Sequence, residues 1–161
     1  MFDPAAAVRH IAAAGFTHVV WIPDSAVGPW ESALVSTPQL KLIRPCREGE
    51  AIGIAAGLMI GGARPLVVIQ CTGLFEAGDA LRNIVYDLKL PLVLLVGVRS
   101  YRAFQAGQST DNCPAFTEPI LKAWQVPYTW IDPEKHSGAD FIAALRKAQV
   151  SGNAATLLWV E

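Results

Sequence analysis

Apolar positions along the chain switch repeatedly between two periods. Over residues 4–14 they recur at helical spacing, with Asp3 placed to cap the start, Pro4 at the first position and Gly15 as the stop. Residues 17–22 (THVVWI) instead form a β-branched and aromatic run with few polar members, the look of a strand buried on both faces. The same alternation predicts helices over 26–35, 48–60, 75–88, 116–124 and 138–150, and strands over 40–43, 66–70, 92–98, 128–131 and 155–160. Strands and helices in this order predict an α/β fold: a doubly wound, mainly parallel six-stranded sheet with helices on both faces. Ligands of such sheets sit beyond the carboxyl ends of the strands, here the loops 23–25, 44–47, 71–74 and 99–114. The last is the one long irregular stretch, and its length predicts a functional or mobile segment.

Composition narrows the picture. A chain of 161 residues, 52% hydrophobic and 17% charged, is long and apolar enough to bury the core of one domain spanning 1–161. Thirteen basic against 14 acidic residues give a net charge of −1, which argues against nucleic acid or anionic membrane held by bulk electrostatics. So little charge also predicts a subunit that buries part of its surface in an oligomer. Cys46, Cys71 and Cys113 form no CxxC or zinc spacing, and His10, His18 and His136 add no metal cluster, so no metal site is expected and the thiols are read as free. The start, Met1-Phe2-Asp3-Pro4, lacks the basic region and apolar run of a signal peptide, and no stretch is long enough to span a bilayer. The expectation is a soluble cytoplasmic protein.

Common catalytic signatures are missing: no GxGxxG after a strand, no GxxxxGK[ST], no GxSxG and no HExxH. Gly61-Gly62-Ala63-Arg64 precedes a strand instead of opening a helix, so it reads as a helix stop. The unusual segment is 46–57, where Glu48 and Glu50 open a helix with no charge from Ala51 to Ile60. Acids in a first turn are commonly dipole partners. The rest of this helix, however, reads as buried all round, and a carboxylate at the mouth of a buried helix tends to be desolvated, as a proton relay requires. Ala55, Ala56 and Gly57 leave room for another helix or chain to approach closely.

Arg47-Glu48-Gly49-Glu50-Ala51-Ile52-Gly53-Ile54-Ala55-Ala56-Gly57 resembles the helix of thiamine-diphosphate-dependent enzymes that carries their glutamate nine residues before a glycine. Glu48 has that spacing to Gly57 and Glu50 does not. Val67-Val68-Ile69-Gln70-Cys71-Thr72-Gly73-Leu74 is similar to the next block of the family, and Gly15 to Ser25 to its first strand and Pro-Asp-Ser turn. By these motifs the chain is most similar to phosphonopyruvate and sulfopyruvate decarboxylases, over roughly residues 5–100. All the matches fall in the family's pyrimidine-binding domain. The Gly-Asp-Gly and downstream Asn of the diphosphate domain, which hold magnesium, are not found; Gly78-Asp79-Ala80 lies in a predicted helix. The resemblance therefore implies half an enzyme, like the separately encoded α subunit of a sulfopyruvate decarboxylase.

That resemblance implies a 2-oxo acid decarboxylase using thiamine diphosphate, with Mg2+ held by a diphosphate-binding β subunit in an α2β2 or larger hetero-oligomer. It implies that Glu48 hydrogen-bonds the cofactor's pyrimidine nitrogen and moves a proton there, in a poorly hydrated pocket. Thr72, Gly73 and Leu74 would touch the cofactor, and Ser25, Cys71 and Gln108 the substrate, although a small buried thiol is the commoner reading of Cys71. Asp24 would relay protons to the substrate carbonyl; a Pro-Asp-Ser turn capping the next helix is the other reading of that residue. Several positions depart from the family. Cys71-Thr72 stand for Asn-Ser, Phe75-Glu76 for Gly-Asn beside the substrate, and the 99–114 loop has no histidine to donate a proton, leaving Gln108, Asp111 or a partner residue. Arg47, Arg82, Arg99 and Arg102 are each a candidate anion ligand or plain surface. The loop is expected to lie over the substrate and order on binding. Alternatives are an acetolactate-synthase-like carboligase subunit, or a non-catalytic flavodoxin-like module whose Glu48 is only a helix-start acid.

Overall fold

A computed structural model describes residues 3–161; Met1 and Phe2 of the N-terminal reading lie outside the described residues. Six strands, β1 His18–Trp21, β2 Lys41–Ile43, β3 Pro65–Gln70, β4 Val93–Val98, β5 Tyr128–Ile131 and β6 Ala155–Val160, form one sheet in the order β2-β1-β3-β4-β6-β5. Every pairing is parallel. The predicted doubly wound α/β fold is therefore the observed one.

Alternation along the strands explains the two cores. Val19, Trp21, Leu66, Val68, Leu95 and Trp159 point to one face, where α1 (Pro4–Ala13), a 3-10 turn (Gly28–Trp30), α2 (Glu31–Ser36) and α8 (Gly138–Val150) cover them. Val20, Val67, Ile69, Leu94 and Val96 point to the other, under α3 (Glu48–Ile60), α4 (Cys71–Glu76), α5 (Gly78–Arg82) and α7 (Cys113–Ala123). All six residues of β4 and of β6 are buried, which is why these strands read as continuous apolar runs. Asp3 caps α1 through Oδ2, 3.1 Å from the Ala6 N–H, and Ser137 with Asp140 forms a capping box on α8.

Three expectations need correction. The helix expected over 75–88 starts at Cys71 directly after β3, so 71–74 is a first helical turn and not a loop; it continues as α5 and a π-turn over Asn83–Asp87. The 99–114 stretch is not irregular throughout, since it contains α6 (Tyr101–Gln105) and the start of α7. Helix α3 is not buried all round either: Ala51, Ile52, Ala55 and Ala56 face the core, but Gly53, Gly57 and Ile60 are exposed, Ile60 by 72%. No helix of the described residues is long and apolar enough to cross a membrane.

Candidate functional site

The chain runs outward from β1 to β2 and then returns to place β3 on the other side of β1, so the carboxyl ends of β1 and β3 diverge into a crevice. A cleft of about 540 Å3 opens there. Asp24 and Ser25 enter it after β1, Gln70 and Thr72 around the end of β3, Arg99 and Ser100 after β4, Glu161 after β6, and Glu48 from the start of α3. Five of the residues singled out in the sequence, Glu48, Asp24, Ser25, Thr72 and Arg99, are brought together in this one cleft.

Glu48 is the first residue of α3, where exposed backbone N–H groups and the helix dipole favour a negative charge. It is half-buried and receives no hydrogen bond from any described residue; Arg47 is its electrostatic neighbour. Its carboxylate lies over Gly73: a Cβ built there would sit 2.7 Å from Glu48 Cδ and 2.5 Å from Oε1. Gly73 thus makes room for the acid. Glu50, by contrast, is exposed and accepts the Cys46 N–H at 2.8 Å, a local fastening of the helix start. Glu76, expected beside the substrate, is another clamp. It accepts the Gly49 N–H at 2.8 Å and Arg47 Nε at 3.0 Å, and the Arg47 hydrogen bond, with the Gly49 N–H, pulls its pKa down. Helix α4 is tied through it to the first turn of α3.

The opposite wall holds a second acidic feature. Asp24 Oδ1 accepts the N–H groups of Ala26 and Val27, both at 2.8 Å, so the capping reading of this residue holds. Its Oδ2 is buried without a donor, as is Oε1 of Glu161. Gly97 of β4 stands behind both; a Cβ there would overlap Glu161 Oε1 and lie 2.8 Å from Asp24 Oδ2. Burial pushes Glu161 up to about 8, helped by the charge and hydrogen bond of Asp24 and opposed by Arg99. Sequence reasoning missed Glu161. The available signal was its place after β6, since that strand also ends at the ligand edge of the sheet.

Arg99 is the cation lining the cleft, and Asp111 anchors it, with Oδ2 at 2.7 Å from Nε. The Cys113 N–H, at 3.0 Å from Asp111 Oδ1, and the guanidinium hold Asp111 at about 2. Of the other arginines, Arg47 is paired with Glu76, Arg82 with Asp79 and Asp87, and Arg102 with Asp132 and Glu134. Cys71 and Leu74 are fully buried in the core beneath α4 and do not line the cleft; burial raises the Cys71 thiol to about 11. Gln108 is exposed and lies off the cleft. The helix begins two residues before Gly73, which turns Cys71 and Leu74 inward, and the buried-thiol reading of Cys71 is the one the structure shows. Among the described residues, no group of three or more His, Cys, Asp or Glu side chains is placed to hold a metal ion.

No protein-family model matches the chain. A phosphonopyruvate decarboxylase of Streptomyces viridochromogenes is 27% identical over 95 residues, 59% of this chain and 24% of that protein. A sulfopyruvate decarboxylase of Methanosarcina acetivorans is 37% identical over 62 residues, 38% of this chain and 15% of that protein. The chain therefore matches about a quarter or less of the length of these relatives. A sulfopyruvate decarboxylase subunit alpha of Methanococcus maripaludis is nearer in size: 23% identity over 125 residues covers 76% of this chain and 73% of that subunit. The fold superposes on a thiamine diphosphate-dependent 4-hydroxybenzoylformate decarboxylase of Rhodococcus jostii with a TM-score of 0.69 at 21% identity, over 98% of this chain and 29% of that one. A benzoylformate decarboxylase of Polynucleobacter necessarius gives 0.70 at 21% identity, over 99% and 30%. In sequence the chain resembles phosphonopyruvate and sulfopyruvate decarboxylases, and in fold it resembles thiamine diphosphate-dependent decarboxylases.

Proposed function

We propose that this chain is the pyrimidine-binding subunit of a thiamine-diphosphate-dependent decarboxylase acting on a short 2-oxo acid with an anionic head group. The observation that carries this reading is Glu48: a carboxylate at a helix start, over Gly73, at the mouth of the cleft and without a hydrogen-bond donor from the protein. Such a group fits the ring nitrogen of an aminopyrimidine: a proton held between the carboxyl group and the nitrogen makes the hydrogen bond Glu48 lacks. When bound, the cofactor supplies the electron sink that decarboxylation of a 2-oxo acid requires. Glu48 holds and moves a proton at the pyrimidine nitrogen. Thr72, whose hydroxyl donates to Gln70 Oε1 at 3.2 Å, shapes the floor between them. Arg99, fixed by Asp111, receives the anionic end of the substrate, and Ser25 faces it across the cleft.

A β subunit supplies the diphosphate and Mg2+ sites in this reading. The relative named as a subunit alpha supports it, as does the exposed Gly53, Gly57 and Ile60 face of α3, where a Cβ at either glycine would meet nothing within 4 Å. The assembly is a hetero-oligomer of cytoplasmic type with the cofactor between unlike chains, and the isolated chain neither holds thiamine diphosphate tightly nor turns over substrate. The test is reconstitution with a partner chain carrying Gly-Asp-Gly and a downstream Asn, measuring carbon dioxide released from sulfopyruvate, phosphonopyruvate and pyruvate. Glu48→Gln is expected to lower the rate by about 10²-fold or more while Glu50→Gln leaves it near wild type. The reverse pattern, or steady turnover by the isolated chain, rejects the reading.

A further inference from the structure

Asp24 uses one oxygen to cap a turn and buries the other, and Glu161 buries an oxygen beside it, with neither buried atom meeting a donor. Gly97 is what lets both side chains come in behind the strand, because any side chain there would collide with them. Two carboxylates confined this way cannot both ionise cheaply; a single proton between them removes the repulsion and satisfies both buried oxygens. Two backbone donors already engage Asp24 Oδ1, so its Oδ2 is the acceptor of the shared hydrogen bond and Glu161 the donor.

We propose that Asp24 and Glu161 share one proton and that Glu161 is the general acid of the cleft, delivering this proton to the carbon from which carbon dioxide has departed. The proposal rests on the decarboxylase reading above. In the step, the electron pair left on carbon forms the new C–H bond and the Glu161 O–H bond breaks. The two acids are left ionised, faced by Arg99, and water at the cleft mouth returns the proton after product leaves. No oxidant or reductant takes part.

The charged groups that face Glu161 are Asp24 from the loop after β1 and Arg99 from the end of β4. Arg102 donates its backbone N–H to the Glu161 carbonyl, but its guanidinium turns to Asp132 and Glu134. With a pKa pushed up to about 8, Glu161 carries its proton at neutral pH and still releases it readily, the condition a general acid must meet. The donors considered from sequence do not meet it. Asp111 is held ionised, Gln108 lies off the cleft, and no histidine lines it.

The test has two readouts. In the full chain labelled with 13C at glutamate Cδ, NMR titration from pH 5 to 9 should show one resonance, absent in Glu161→Gln, that stays protonated past pH 7. Asp24→Asn keeps the capping oxygen but replaces the acceptor with a donor, and should shift that resonance's titration to lower pH, with burial alone still holding it above the ordinary glutamate range. In the reconstituted complex, Glu161→Gln should still release a first equivalent of carbon dioxide but form protonated product about 10²-fold more slowly. If Glu161 is already ionised at pH 6, the proposal falls whatever the complex does. If the resonance titrates high yet Glu161→Gln forms product at the wild-type rate, the shared proton stands and the general-acid role is overturned. A complex that decarboxylates no 2-oxo acid rejects the parent reading, and the acid role with it, while the titration still reports on the pair.

Discussion

Gly73 and Gly97 each omit a side chain where an acid needs space, on opposite walls of one cleft, yet the acids they admit are in different states. Glu48 over Gly73 is half-buried and without a hydrogen bond from any described residue. Asp24 and Glu161 before Gly97 are packed against each other with oxygens sealed from solvent. The difference comes from the supporting elements. Gly73 lies in the first turn of α4, which the Glu76 clamp ties to the start of α3 at the open edge of the cleft. Gly97 lies in the fully buried strand β4, paired on both sides, so nothing there can give way. A glycine in a helix start leaves an acid ready for a ligand; a glycine in a central strand forces two acids to share a proton.

The largest effect that would separate the two walls is on the pH dependence of folding. Glu161 has a folded pKa of about 8 against an ordinary value of 4.5, so the folded chain binds more protons than the unfolded one between those limits. Its contribution is fully present below the lower value and is lost as pH rises through the upper one. Glu161→Gln keeps a neutral donor to Asp24 and should be more stable than wild type at pH 8. The gap is up to about 4 kcal/mol for the full shift, less after solvent screening of a partly exposed group, and closes toward pH 5. His18, with a lowered pKa, changes stability in the opposite sense over part of this range, but it is common to both proteins and cancels in the difference. Urea denaturation at several pH values measures it, and a difference that does not grow with pH would remove the shared proton.

The second effect is steric. Gly97→Ala sets a methyl group against both acids and should cost about 1–3 kcal/mol, well beyond the small gain from a less flexible unfolded chain. It should also lower the pKa of Glu161 by parting the pair. A variant as stable as wild type would mean the two side chains have another place to go.

Much of this was legible in the chain. The bounds of Glu48–Ile60 and of the last two strands are legible because β-rich or apolar stretches end at clear stops. Glu48 and Asp24 were legible because one opens an uncharged helix and the other follows a buried strand. What was not legible depended on neighbours far along the chain. Cys71 and Leu74 turn inward because α4 starts straight after β3, a boundary no stop residue marks. Glu76 acts through Gly49 and Arg47, 27 and 29 residues earlier, and Glu161 through Gly97 of an adjacent strand. Sequence periodicity reports which side of an element faces inward; it does not report which element lies across from it.

The smallest expected effect on folding, and the sharpest on ligand binding, is at Gly73. Replacing glycine by alanine in a helix favours the helix by up to about 1 kcal/mol. The new methyl group would overlap the Glu48 side chain, but that side chain is half-exposed and can rotate toward solvent, so the two effects nearly offset. Gly73→Ala should therefore unfold within about 1 kcal/mol of wild type, in contrast to Gly97→Ala. Its carboxylate, however, would be displaced from the cleft, and misplacement by about an ångström lowers rates by up to about 10²-fold. Thiamine diphosphate titration of the reconstituted complex, monitored by circular dichroism of the bound pyrimidine beside the rate of carbon dioxide release, reads both consequences. Normal stability with lost cofactor response places Glu48 where the proposed function needs it; normal stability with normal response means Glu48 reaches the cofactor by another route and Gly73 is only a helix residue.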